Sequence, residues 1–151
     1  MTTTTPADLR TNLVGAWTLH AYEARSMDGL TVTYPLGTHP QGIIMYTPDG
    51  YMSAQLMRSD RPQLSGVDMH PDNPQELAAA AGGYLNYSGP YNVVGDDLIA
   101  HHITISLIPN WIGGIQYRTA HLHESVLELS PPDPILIGGQ CLNARLIWHR
   151  A

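Results

Sequence analysis

The clearest pattern in the chain lies between Gly42 and Arg58, where two runs of alternating residue character flank Thr47-Pro48-Asp49-Gly50. Alternation predicts strands, and the break between them predicts that they pair as a hairpin: Pro48 presets φ at the first corner, Asp49 accepts local backbone donors, and Gly50 takes a left-handed conformation. With Tyr46 opposite Tyr51, the residues Ile43, Met45, Met52, Ala54 and Leu56 fall on one apolar face. Ile44, Tyr46, Tyr51, Ser53 and Gln55 share the other. The first face is expected to point inward.

The same period recurs along the chain. Asp8 to Leu13 predicts a short helical lead-in, and Leu13 to Leu19 begins a strand with Trp17, Leu19, Ala21 and Glu23 on one side. Met27-Asp28-Gly29 predicts a turn, and Thr31 to Tyr34 a short strand. The convincing helix follows at Pro74 to Ala81: Asn73 stands at the cap, Pro74 at the first helical position, Glu76 near the positive end of the dipole, and Gly82-Gly83 at the stop. Tyr84 to Val94 puts Tyr87, Gly89, Tyr91 and Val93 in phase. Leu98 to Ile108, Ile115 to Leu122, Val126 to Ser130 and Cys141 to Arg150 supply further strands, interrupted at Pro109-Asn110-Trp111 and Pro131 to Pro134. Eight or nine strands joined in sequence leave two exposed edges unless the sheet closes. The expected fold is therefore all-β: a closed, antiparallel, up-and-down barrel with one short helix, residues 13–151 forming one domain behind a flexible lead-in at 1–12. Closure brings Trp17 beside Trp148 to Arg150.

Composition narrows what such a barrel does. A chain of 151 residues with net charge −6, seven arginines and no lysine carries no basic footprint for nucleic acid or anionic membrane. Schiff-base chemistry and pyridoxal phosphate attachment need a lysine amine, so they are excluded apart from the N-terminus. The lone Cys141 forms no intramolecular disulfide and is expected to be a small buried hydrophobe. Met1 to Pro6 lacks the apolar core of a signal peptide, so a cytoplasmic location is expected. A homodimer is compatible with the sequence. There is neither a Gly-rich phosphate loop nor a Gly-x-Ser-x-Gly elbow.

Gly15-Ala16-Trp17, with Arg150 at the end of the last strand, resembles the Gly-x-Trp signature and partner arginine of lipocalins. Tyr34-Pro35-Leu36-Gly37, Tyr46 to Ala54, His101-His102 and Pro109 to Gly113 resemble, in this order, the microbial lipocalin-like domain family. The resemblance spans Gly15 to Arg150. It implies a calycin-type barrel with an internal cavity and no particular reaction.

Eight histidines raise the question of a metal. His121 and His123 share a strand face, but two imidazoles close no tetrahedral site unaided and Glu124 points the other way; haem ligation is a similarly poor fit. Neither metal nor cofactor is expected. His101 and His102 are neighbours on a strand, so one of them faces inward, and His101 is in phase with Ile99, Ile103, Ile105 and Leu107. It is the candidate proton-transfer group, unless it is simply a satisfied core histidine. The face that Arg118 takes is undecided by apolarity. If inward it needs an anionic partner, for which Glu23 is the candidate, either as a structural ion pair or as a site that stabilises a developing oxyanion. Tyr87, Tyr91 and Trp111 offer flat apolar bodies with polar tips, and Met45, Met52, Leu56, His102, Ile103 and Asn110 complete the expected lining. The leading expectation is cofactor-independent acid–base chemistry (isomerisation, cyclisation or elimination) on a small carbonyl-bearing or polyketide-like metabolite of secondary metabolism. The competing expectation is a non-catalytic carrier of a small hydrophobic ligand.

Overall fold

The computed structural model describes residues 6–151; the first five residues of the expected lead-in lie outside them. Helix α1 (Pro6–Leu13) precedes β1 (Gly15–Arg25), β2 (Val32–Thr33), β3 (Gln41–Tyr46) and β4 (Tyr51–Met57). Helix α2 (Pro74–Gly82) leads into β5 (Tyr84–Val93), β6 (Leu98–His102) and β7 (Ile105–Ser106). A 3-10 turn at Pro109–Trp111 is followed by β8 (Ile115–His123), β9 (Val126–Ser130), β10 (Ile135–Ile137) and β11 (Gln140–Arg150). The ring runs β1-β3-β4-β5-β6-β8-β9-β11 and closes by pairing β11 with β1, which gives the expected antiparallel barrel of eight main strands. β2, β7 and β10 are short additions to β1, β5 and β11.

One end is sealed. Trp17 is fully buried, its indole N–H donates to the Leu13 carbonyl at 2.9 Å, and the Arg150 guanidinium lies 4.0 Å from its ring centre. Arg150 also donates to the carbonyls of Val14 and Asn12 at 3.1 and 2.5 Å. Leu9 and Leu13 of α1 are buried in the same core, so the helix plugs the barrel there. At the other end α2 starts at Asn73, whose side-chain oxygen accepts from the N–H groups of Gln75 and Glu76, with Pro74 at the first turn. None of its residues is fully buried.

Three single-residue features decide which side chains point inward. In the hairpin, Thr47 N–H donates to Tyr51 O at 2.8 Å and Gly50 N–H to Thr47 O at 3.2 Å, so the loop is Pro48-Asp49-Gly50, with Gly50 at φ +97°. Tyr46 therefore pairs with Met52 and not with Tyr51. The expected β3 face is inverted: Ile44 and Tyr46 are buried beside Met52, Ala54 and Leu56, while Ile43 and Met45 face outward. In β1, Leu19 pairs with Trp148 but Ala21 with Ile147, which makes His20 an extra residue. Trp17 and Leu19 point in, and beyond the bulge Tyr22 and Ala24 do so in place of Ala21 and Glu23.

The third feature follows His101. Tyr91 pairs with His101, yet Ser88 pairs with Ile105, so one extra residue lies between β6 and β7. The parity of β6 up to Ile103 is untouched, and His101 and Ile103 point inward as expected. Beyond it the phase flips and Ile105 and Leu107 are exposed. Cys141, expected to be buried, is exposed because it alternates with the inward Leu142 on β11. No described helix is long and apolar enough to cross a membrane.

Candidate functional site

The barrel encloses a cavity of about 480 Å³. Its walls are apolar over most of their extent, from Ile44, Ala54 and Leu56 on one side to Leu129, Ala144 and Leu146 on the other. Tyr22, Tyr87, Trp111 and Trp148 add aromatic faces. Pro35, Leu36, Gly82, Pro131 and β10 also line it, so it lies toward the end away from α1. A volume of this size suits a small organic molecule, with ~300 to 1,000 Å³ being the usual range for ligand pockets.

His101 lies beneath this space without lining it. It is the only charged or strongly polar side chain among the buried described residues, with no exposed surface. Its Nε2 is 2.8 Å from the Tyr46 hydroxyl and its Nδ1 is 2.8 Å from the Tyr87 hydroxyl. Burial, with the nearby charge of Arg118 and then His102, pushes its pKa from the ordinary 6.5 down to about 3. The ring is therefore neutral near pH 7. Burial also raises both tyrosines, Tyr46 well above its usual value, while Arg118 opposes the shift in each. The three residues form a neutral chain of hydrogen bonds that ends in the cavity wall at Tyr87, which is braced edge-on by Trp111 at 6.1 Å between ring centres.

Arg118 does face the cavity, from β8. Glu23 is not its partner. The β1 bulge turns Glu23 outward, where it meets Arg145 at 3.4 Å and Arg25 at 3.6 Å. Arg118 instead donates to the Gln116 side-chain oxygen at 2.5 Å and the Tyr117 carbonyl at 2.8 Å. No carboxylate lies within ion-pair distance of it among the described residues. A guanidinium left with only neutral partners on a largely apolar wall favours a guest with an acceptor or a negative charge.

Of the residues expected at the site, Leu56, Tyr87, Trp111 and Arg118 line the cavity. Met52 and Ile103 are buried in the core away from it. Tyr91 is buried toward the sealed end, where its hydroxyl donates to Thr47 O at 2.8 Å and Arg10 covers its ring. Met45 is on the outer surface, moved there by the hairpin register. His102 points outward and binds the Asn92 side chain at 2.7 Å, as strand parity requires once His101 is inside. Asn110 is exposed in the turn that carries Trp111 inward. Sequence reasoning missed Tyr22, Tyr46, Gln116 and Trp148. Trp148 alternates in phase with Leu142, Ala144 and Leu146, so plain strand periodicity would have found it. Tyr22 and Tyr46 were hidden by the bulge and by the turn. Among the described residues no group of three or more His, Cys, Asp or Glu comes together as a metal site, and His121 and His123 are exposed.

The profile of a family described as a lipocalin-like domain matches residues 14–151. The chain belongs to this lipocalin-like family. A relative within reach is the 4'-hydroxy-3'-methoxypropiophenone carrier protein ppsC of Aspergillus oryzae, 36% identical over 106 residues, which span 66% of this chain and 96% of the relative. In this lipocalin-like barrel the Gly15-Ala16-Trp17 and Arg150 segments build the sealed end, and Tyr46 and His101 are hydrogen-bonded to each other beneath the cavity.

Proposed function

We propose that this lipocalin-like protein is a carrier for a small, largely apolar, aromatic or carbonyl-bearing metabolite of secondary metabolism. The observation that carries this reading is the pairing of a roomy apolar cavity with a sealed imidazole. A general base has to reach the proton it removes, and its pKa should lie near the working pH. His101 meets neither condition: both ring nitrogens are taken by tyrosine hydroxyls, and its pKa is far below neutrality. Arg118 and the tyrosines then serve as hydrogen-bonding groups, and the apolar walls supply most of the affinity, at ~25 cal/mol per Å² of guest surface removed from water. The carrier name of the Aspergillus oryzae relative, and the aryl ketone in that name, support the same class of guest.

The test is a titration with 4'-hydroxy-3'-methoxypropiophenone, followed by tryptophan fluorescence because Trp111 and Trp148 line the cavity. The expected result is saturable one-site quenching, with the compound recovered unchanged after prolonged incubation. Conversion of the compound in step with protein concentration would overturn the carrier reading in favour of catalysis.

A further inference from the structure

The direction of the hydrogen bonds around His101 follows from counting donors and acceptors. A neutral imidazole has one N–H and one lone pair, so one tyrosine must donate to it and the other must accept from it. Tyr46 is 2% exposed, and among the described residues its hydroxyl has no hydrogen-bond partner besides His101 Nε2. Were Tyr46 to accept from an Nε2–H, its own O–H would be buried without an acceptor and would carry the full penalty of a dehydrated, unpaired donor. Donating to Nε2 avoids that cost. The proton of the ring then sits on Nδ1, and Nδ1–H donates to the Tyr87 oxygen across 2.8 Å.

Tyr87 is thereby left with an O–H that has no partner inside the protein, and Tyr87 is the member of the trio that lines the cavity. Resting on the carrier reading, we infer that Tyr46 and His101 act as positioning residues that lock Tyr87 as a hydrogen-bond donor into the cavity, and that the ligand presents a ketone-type or enolate-type oxygen to it. Most other polar groups of the wall agree in sign, the Tyr22 hydroxyl being able either to donate or to accept. Arg118 has donors only, and Gln116 spends its side-chain oxygen on Arg118. The cavity thus offers donors to its guest, and among the described residues that line it there is no carboxylate to receive one. A ligand whose polar end is an acceptor gains a hydrogen bond there. A ligand that ends in an alkyl group leaves the Tyr87 hydroxyl dry and unpaired.

Two measurements on the full chain test this. The first needs no ligand: ¹⁵N NMR of the histidine side chains should give His101 a protonated Nδ1 and a bare Nε2, and a protonated Nε2 would overturn the assigned direction. The second compares 4'-hydroxy-3'-methoxypropiophenone with 2-methoxy-4-propylphenol, which has a methylene in place of the carbonyl. The wild type should bind the ketone ~10-fold more tightly, and the bound carbonyl stretch should move to lower wavenumber. In Tyr87→Phe the preference and the stretch shift should disappear, and the methylene compound, which no longer leaves a hydroxyl unpaired, should bind more tightly than it does to the wild type. An unchanged ketone preference in Tyr87→Phe would overturn the assignment of Tyr87. Equal binding of both compounds by the wild type would overturn the inference and leave the carrier reading standing, whereas no binding of either would remove both. A melting curve establishes that Tyr87→Phe is folded, and if it is not, the NMR result on the wild type decides.

Discussion

His101 illustrates how much one buried residue asks of its neighbours. Removing an imidazole from water penalises its charged form, and Tyr46 and Tyr87 satisfy the neutral one. The same arrangement links stability to pH. In the unfolded chain His101 takes up a proton below about pH 6.5, whereas in the folded barrel it does so only near pH 3. Between those values the unfolded state binds more protons, so the contribution is complete above pH 6.5 and is lost as pH falls toward 3. The expected loss approaches ~1.4 kcal/mol per pH unit. Urea unfolding at pH 7 and at pH 5.5, above the range where most carboxylates titrate, should display it. His101→Gln keeps a donor and an acceptor but cannot take the proton, so its stability should vary less across that interval. An equal slope in the two proteins would move the pH dependence elsewhere.

At the scale of elements, legibility depended on whether a strand was uninterrupted. β4, β5 and β6 read correctly because simple alternation holds along them: Met52, Ala54 and Leu56, then Tyr87, Gly89 and Tyr91, then Ile99 and His101 all point inward. β1 and β3 were misread beyond single points, since a period of two inverts when one residue is added or when a hairpin pairs one position later. His20 is such a residue, and the Thr47–Tyr51 closure is such a position. The direction of Arg118 was undecidable from apolarity for a different reason: the outer face of β8 carries Ile115 and Tyr117, both exposed. The irregularity between β6 and β7 has its own sequence requirement in Gly89, where a Cβ would stand 1.9 Å from the His102 carbonyl oxygen. That atom is backbone and cannot swing aside. Gly89→Ala should therefore part the seam and destabilise the barrel by ~3 kcal/mol or more, at the upper end of overpacking costs, measured by denaturant unfolding. Wild-type stability in that variant would mean that the bulge slides freely.

For the whole molecule, the two ends of the barrel divide the work of holding together and of holding a guest. Trp17 is buried at the sealed end, under Arg150 and bonded to Leu13, and it does not line the cavity. Trp111 sits partly buried in the short turn after β7, lining the cavity and bracing Tyr87. Loss of the first indole leaves a void in the core and an N-terminal plug without its anchor, so Trp17→Ala should cost ~3 to 5 kcal/mol of stability. Ligand affinity measured below its melting transition should then fall by less than about threefold, well under the tenfold that 1.4 kcal/mol represents. Trp111→Ala should do the opposite: exposed on one side, it contributes little to the core, but it removes an aromatic wall from the guest and frees the Tyr87 ring to tilt. Its melting temperature should stay within a few degrees of the wild type, since ~1 kcal/mol moves a domain of this size by about 2 to 4 °C. Affinity for an aromatic ketone should drop ~10-fold or more. Calorimetric melting and fluorescence titration of the two variants side by side check the division. If Trp17→Ala kept its melting temperature and lost the ligand, the binding end of the barrel would have been assigned backwards, and Tyr91 and Arg10 at that end would take the place of Tyr87 and Arg118 as the groups to examine.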